Sequence, residues 1–240
     1  MSKHRSCFKG GKMEEVEVVG GLPEIIVNKD GVYQGNLADY YRWIFKNATN
    51  LSNGYHNFRH LFRVAWLCYQ ACVYYGDKLT RKEKRNLLIA AMFHDVNHSG
   101  KKGIDEDNIR QAIAALYKAI MPADRPYFEE IANLIWATEF PHRIRTELLS
   151  ILEMILRDAD VAQVLDVAWM QEVLFGLAEE WEMAPIDVLS HQVTFLENLK
   201  FGSEWAKETF PPSAIAAKIA EVRAHLALLD GKDSNHEGAA

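Results

Sequence analysis

Four histidines fall in two short runs with the same internal spacing: His56 and His60 in "GYHNFRH", His94 and His98 in "FHDVNHSG". Positions four apart share a helix face, so each pair can project together. Asp95 adjoins His94, and neighbouring side chains on a helix diverge by about 100°. Both therefore reach one point only near a helix end or kink, and Asn97, Ser99 and Gly100 follow at once, where a helix can stop. The pair also follows the apolar run "LLIAAMF", residues 87–93, so it should emerge from a buried helix. A carboxylate there needs a cation or strong hydrogen bonds to offset its desolvation. Imidazole and carboxylate together suit Zn, Mn, Fe or Mg-assisted chemistry, and without cysteine the cluster is not a structural Cys-rich zinc site. A further carboxylate is needed to close such a site. In "ILRDADVAQVL", Asp160 is the candidate ligand, and Asp158 reads as a solvent-facing charge.

The elements that must carry these groups read as helices from Leu37 onward. "LADYYRWIFKNA" is amphipathic, and the segment beginning at Phe58 continues for about five turns to Gly76. Thr80, with Glu83 three residues on, signals the start of the next helix. Its basic opening "RKEKR" reads as a solvated face. Further helices are expected at about 105–120, 125–139, 143–157, 161–182 and 186–200, and a closing one follows Pro211-Pro212. Cys68 and Cys72 read as two buried small apolar residues. Before Leu37, "EVEVV" and "EIIVNKDGVY" are the strand candidates, the second as a hairpin around Asp30-Gly31. The expected organisation is an N-terminal arm over 1–36, one all-α domain over 37–229 and a tail over 230–240 without periodicity.

At 240 residues and a formal net charge of −6, the chain has no basic surface to recruit nucleic acid. Its strongest apolar run is too short to span a bilayer and its basic start lacks an apolar stretch, so neither a membrane span nor a secretory signal is expected. A cytoplasmic setting follows as the default.

The motifs resemble those of HD-domain metal-dependent phosphohydrolases: a His, then His-Asp, then a distant Asp. More narrowly they look like the catalytic domain of class I cyclic nucleotide phosphodiesterases. "YHNFRH" is similar to that family's Tyr-His-Asn-x-x-His, and "HDVNHSG" to its His-Asp-x-Asp-His-Pro-Gly. "ATEFPH", "DADVA" and "SHQVTF" are similar to three later stretches in chain order. The resemblance covers roughly residues 54–200. The departures are Asn97, Ser99, Glu139 and Gln163, together with a shorter chain. The family's supporting glutamate after the second motif has no secure counterpart, with Asp105, Glu106 and Asp107 as the candidates.

The resemblance implies a compact multi-helix HD/PDEase-like fold and two divalent metal ions. His60, His94, Asp95 and Asp160 would hold the first, and Asp95 would bridge to the second. A hydroxide between them would attack phosphorus, and His56 would protonate the leaving oxygen as general acid. His98 and Thr138 would order metal-bound waters from behind the ligands, and Tyr55, Gln192 and Phe195 would contact the substrate. The partner is then a small nucleotide or phosphate ester, with a homodimer as an open option. Three other readings use the same residues: an HD-type phosphohydrolase acting on a nucleoside monophosphate, a diiron oxygenase, and a nucleotide sensor without turnover.

Overall fold

The computed structural model describes residues 18–19, 22–23, 37–103, 105–142 and 144–230. The described chain is helical, as its periodicity predicts. The helices are α1 (Ala38–Asn47), α2 (Phe58–Tyr75), α3 (Arg81–Phe93), α4 (Asp105–Ala119) and α5 (Phe128–Trp136), followed by α6 (Ile151–Val161), α7 (Phe175–Glu180), α8 (Pro185–Asn198), α9 (Glu204–Thr209) and α10 (Pro212–Asp230). Two short strands, β1 (Val18–Val19) and β2 (Leu22–Pro23), pair antiparallel with Val19 opposite Leu22. The hairpin expected around Asp30-Gly31 lies outside the described residues, as does the tail beyond residue 230. No single described helix is long and apolar enough to cross a membrane.

Local chemistry explains the helices that carry the site. Asn57 caps α2, its side chain accepting from the amides of Arg59 at 2.8 Å and His60 at 3.4 Å. Gly76 ends α2 with φ +50°, in the left-handed region where a side chain would be strained. Thr80 and Glu83 form a reciprocal capping box at the start of α3. The helix expected over 143–157 instead begins at Ile151, because Ser150 and Glu153 form a second capping box there. The expected 161–182 helix is broken into a 3₁₀ turn at Ala162–Leu165, a π turn at Met170–Leu174 and the short α7. Asp166, extended at ψ 158°, makes the break. Helix α9 had no periodic signal in its six residues and is started by the Ser203 cap.

Helix α3 is the centre of the core. It packs against α2 and α5, with α6 closing behind α2, and every residue from Leu87 to Phe93 is fully buried. A second apolar cluster gathers Trp169, α7, α8 and Val222 of α10, and Leu165 and Leu199 touch both clusters. Two charges read as solvated prove buried. Arg85 sits 2% exposed and gives two hydrogen bonds to Asp124, at 2.6 and 2.9 Å, while Tyr40 donates to the same carboxylate at 2.7 Å. The helix buries this face because α3 is surrounded, so Arg85 must carry its own counter-ion inside. Asp158 is likewise buried, accepting from the Gly202 amide and from both the amide and hydroxyl of Ser203. It anchors the start of α9 to α6, and it leaves the adjacent turn of α6 to present Asp160.

Candidate metal centre

His60 lies in the first turn of α2, His94 is the C-terminal cap of α3, Asp95 follows it, and Asp160 is near the end of α6. The ends of three helices thus bring four groups to one point. His60 Nε2 is 3.1 Å from His94 Nε2, 3.1 Å from Asp95 Oδ2 and 3.1 Å from Asp160 Oδ1. His94 Nε2 is 3.2 Å from Asp95 and 3.4 Å from Asp160. Adjacent residues converge because α3 stops at Phe93, whose carbonyl accepts from the Val96 amide in a tight turn. Asn97 continues that turn at φ +65°, a conformation asparagine tolerates.

Two imidazole nitrogens and two carboxylate oxygens, all within 4.8 Å of one another, are a donor set that fits a divalent cation. His94 Nδ1 lies 2.8 Å from the Ala91 carbonyl, so it carries the hydrogen of the neutral ring and Nε2 is the nitrogen that faces the cluster. Burial opposes charge on all four groups, but they stabilise one another's charged forms. Against that burial, Asp160 and Asp95 raise the His60 imidazolium to about 9 and His94 well above its usual value. The same contacts hold both carboxyls well below the ordinary range, burial notwithstanding.

A second group lies beside the first. Glu180, at the end of α7, accepts from the Tyr55 amide at 3.0 Å and the His56 amide at 2.7 Å, and its other oxygen is 2.7 Å from His56 Nδ1. The His56 ring stacks on His98 at 3.7 Å and 20°. His56 is thereby separated from the four-membered cluster and gripped from behind. The grip depends on a close backbone crossing: a Cβ on Gly176 would lie 2.7 Å from the Gly54 carbonyl oxygen, so α7 can only approach this loop as glycine. Tyr55 packs between His56 and His60, at 4.7 Å from each ring.

The buried Asn50 joins the two motifs, its amide donating to the carbonyls of His56 at 2.6 Å and Asp95 at 2.8 Å while its oxygen accepts from Asn97. His98 is held by the Gly100 amide and by Asn108, with Asp105 3.9 Å away. Of the three acids considered after the second motif, Asp105 is thus the one placed here, and Glu106 turns outward to Arg110. Thr138 is buried and spends its hydroxyl on the Ile135 carbonyl at the end of α5. Gln192 is buried on α8 with its amide nitrogen unpartnered among the described residues. Phe195, one turn on, faces Phe140 at 6.1 Å, and the Phe140 amide donates to Asp105. Glu180 and Asn50 were missed as site residues, and no spacing in the sequence singles out either.

Comparison with known proteins agrees with this geometry. The family model described as 3'5'-cyclic nucleotide phosphodiesterase matches residues 55–138, which include His56, His60, His94 and Asp95. Over those residues the chain is similar to the class I cyclic nucleotide phosphodiesterases. Over 91 residues it is 33% identical to the human high affinity cGMP-specific 3',5'-cyclic phosphodiesterase 9A, and over 86 residues 31% identical to the mouse protein of that name. These matches cover 35% of this chain but only 14% and 16% of the relatives, so the chain spans a small part of the curated proteins it matches. A solved structure of LmjPDEB1 in complex with IBMX shares the fold, with TM-score 0.53 over 75% of this chain and 76% of that one, at 16% identity. This likeness covers more of the chain than the 55–138 segment matched by the family model, and at 16% identity it is a likeness of fold.

Proposed function

We propose that this protein is a metal-dependent phosphodiesterase that hydrolyses a 3',5'-cyclic nucleotide. The observation that carries the reading is the approach of His60 and His94 to Asp95 and Asp160, each pair at 3.1–3.4 Å, beside a histidine held by its own carboxylate. In this reading those four residues would hold a divalent cation, Zn, Mn, Fe or Mg, and Asp95 would also serve a second. When bound, the two ions supply a hydroxide nucleophile near neutral pH and neutralise charge on the phosphoryl oxygens.

His56 is the general acid. Glu180 can only accept, so it draws the hydrogen of His56 Nδ1 to itself, and Nε2 is left to hand its proton to the departing ribose oxygen. Glu180 also grips the Tyr55 and His56 amides, which fixes where that proton is delivered. His98 stacks on the acid and limits its rotation. Tyr55 forms the wall between acid and ligands. Gln192 has a buried amide nitrogen with a hydrogen to give, and with Phe195 it is the assigned contact for the base. The Thr138 hydroxyl oxygen can still accept and would hold water near the cations, whereas both ring nitrogens of His98 are taken by Gly100 and Asn108, so His98 would act through its stacking on His56.

The test is hydrolysis by Mn²⁺-loaded protein against cyclic GMP, cyclic AMP, a nucleoside monophosphate and bis-p-nitrophenyl phosphate. Turnover of a cyclic nucleotide, lost together with metal binding in Asp95→Ala, is expected. Release of phosphate from the monophosphate alone would replace this reading with a phosphomonoesterase. Oxygen uptake by the iron form would replace it with an oxygenase, and tight nucleotide binding without turnover with a sensor.

A further inference from the structure

His60 meets the other ligands through Nε2, and behind its Nδ1 runs a chain of side chains that the proposed reaction does not use. Nδ1 is 2.8 Å from Gln163 Oε1, and Gln163 Nε2 donates to Glu172 Oε2 at 2.7 Å. Gln163 is 1% exposed on the turn after α6, and Glu172 sits on the π turn Met170–Leu174, a rare geometry that recurs at functional sites.

We propose that Glu172 is a positioning residue that sets the tautomer of His60 through Gln163, and so keeps His60 Nε2 open to a divalent cation. The inference rests on the proposal that the four-residue cluster holds such a cation. Its logic is a count of donors and acceptors. A carboxylate only accepts, so the Gln163 NH₂ must face Glu172. The Gln163 oxygen then faces His60 and can only accept, so in the neutral ring that a cation would bind Nδ1 carries the hydrogen and Nε2 the lone pair. His94 needs no such relay, because the Ala91 carbonyl of its own helix fixes the same tautomer. Without Glu172 the Gln163 amide is free to turn. Its NH₂ could then donate to Nδ1, which would place the hydrogen on Nε2, where the cation must bind. Outer partners of this kind typically change metal affinity by about 10–100-fold.

The experiment measures Mn²⁺ affinity of the full chain by competition with a fluorescent chelator, with thermal stability in EDTA as the check on folding. Glu172→Leu and Gln163→Leu should each weaken Mn²⁺ binding by about 10–100-fold, and the double variant by no more than the worse single one. The exchanged pair, Gln163→Glu with Glu172→Gln, should bind within about threefold of wild type. In it the new carboxylate would accept from His60 Nδ1, and the new amide behind it would donate to that carboxylate, so the tautomer is kept. Gln163→Leu keeps the Glu172 charge, so full affinity in that variant would show that charge alone matters and would overturn the relay. Wild-type affinity in Glu172→Leu, or an exchanged pair that folds in EDTA yet binds as weakly as Glu172→Leu, would overturn it as well. If the wild-type chain binds no Mn²⁺, the metal reading falls and takes this inference with it. If only the variants fail to respond, the metal reading stands and the relay alone is wrong.

Discussion

Glu180→Gln is the sharpest test of how the acid is held. The carboxylate has two oxygens and three donors: the Tyr55 and His56 amides on one oxygen, His56 Nδ1 on the other at 2.7 Å. Its side chain is 3% exposed, and although burial alone would raise its carboxyl, His56 and the two amides lower it below the usual range. Glutamine has the same shape but only one accepting oxygen. The backbone amides cannot turn away, so that oxygen stays with them and the new NH₂ points at His56 Nδ1. A charge-assisted hydrogen bond worth about 1.5–3 kcal/mol is replaced by two donors facing each other.

That loss applies when His56 must carry a proton to the leaving group. At about 1.36 kcal/mol per decade, turnover of a cyclic nucleotide should fall about 10–150-fold. Bis-p-nitrophenyl phosphate releases an anion that leaves without protonation, so its turnover should fall by less than about threefold. Mn²⁺ affinity should not change, since Glu180 is outside the four-residue cluster. Steady-state kcat with both substrates at saturating Mn²⁺ reads the difference directly. Equal losses on both substrates would mean that Glu180 supports the fold of the site instead of the proton transfer, and no loss on either would remove His56 as the acid.

Three further outcomes follow from the packing. Asn50→Asp removes the two donors that tie His56 to Asp95 and should cost about 2–4 kcal/mol, seen as a lower Tm and as weaker Mn²⁺ binding; an unchanged Tm would show that the two motifs are held together elsewhere. Asp124→Asn strips the counter-ion from buried Arg85 and should cost about 3–5 kcal/mol in urea denaturation; a loss below about 1 kcal/mol would show that the pair is solvated in solution. Burial lowers the His98 imidazolium to about 4, aided by His56 and opposed by Asp95. The unfolded chain takes up that proton first, near pH ~6.5, so stability should fall as pH drops from there toward 4. His98→Gln should remove about 2–3 kcal/mol of that fall, compared by urea titration at pH 7 and 4.5; parallel losses in both proteins would refute the assignment.

The helices around the site were legible because their ends are written locally. Thr80 with Glu83 and Gly76 after a long apolar face mark boundaries within one or two residues, and the structure keeps them. The same signal stands at Ser150 and Glu153, and it places the start of α6 at Ile151, inside the helix expected over 143–157. The 161–182 stretch looked like one helix because its apolar residues do recur at helical spacing. Its break at Asp166 instead reflects tertiary structure, as Arg63 of α2 pairs with that carboxylate at 2.5 Å. Arg85 and Asp158 were misread for one reason: a charge in an amphipathic pattern is assigned to solvent unless its partner is known. Their partners lie 39 and 45 residues away.

The site divides along the same line. Residues that converge through helix geometry, such as His94 and Asp95 at the end of α3, can be found from spacing because a helix end is a local event. Glu180 reaches His56 across 124 residues, and Glu172 reaches His60 only through Gln163. Neither acid lies in a run of unusual residues, and each acts by what it accepts, a property any surface glutamate shares. What distinguishes them is burial and direction. An acid that must choose which nitrogen of a histidine carries hydrogen has to sit behind the ring, on an element other than the one that carries the histidine. Such groups therefore tend to come from a distant part of the chain, here the π turn and α7, the segment whose helical pattern misled the reading. The irregular stretch between α6 and α8 supplies the partners behind both histidines, and in the proposed reading substitutions there should change protonation and metal affinity while the ligands themselves remain intact.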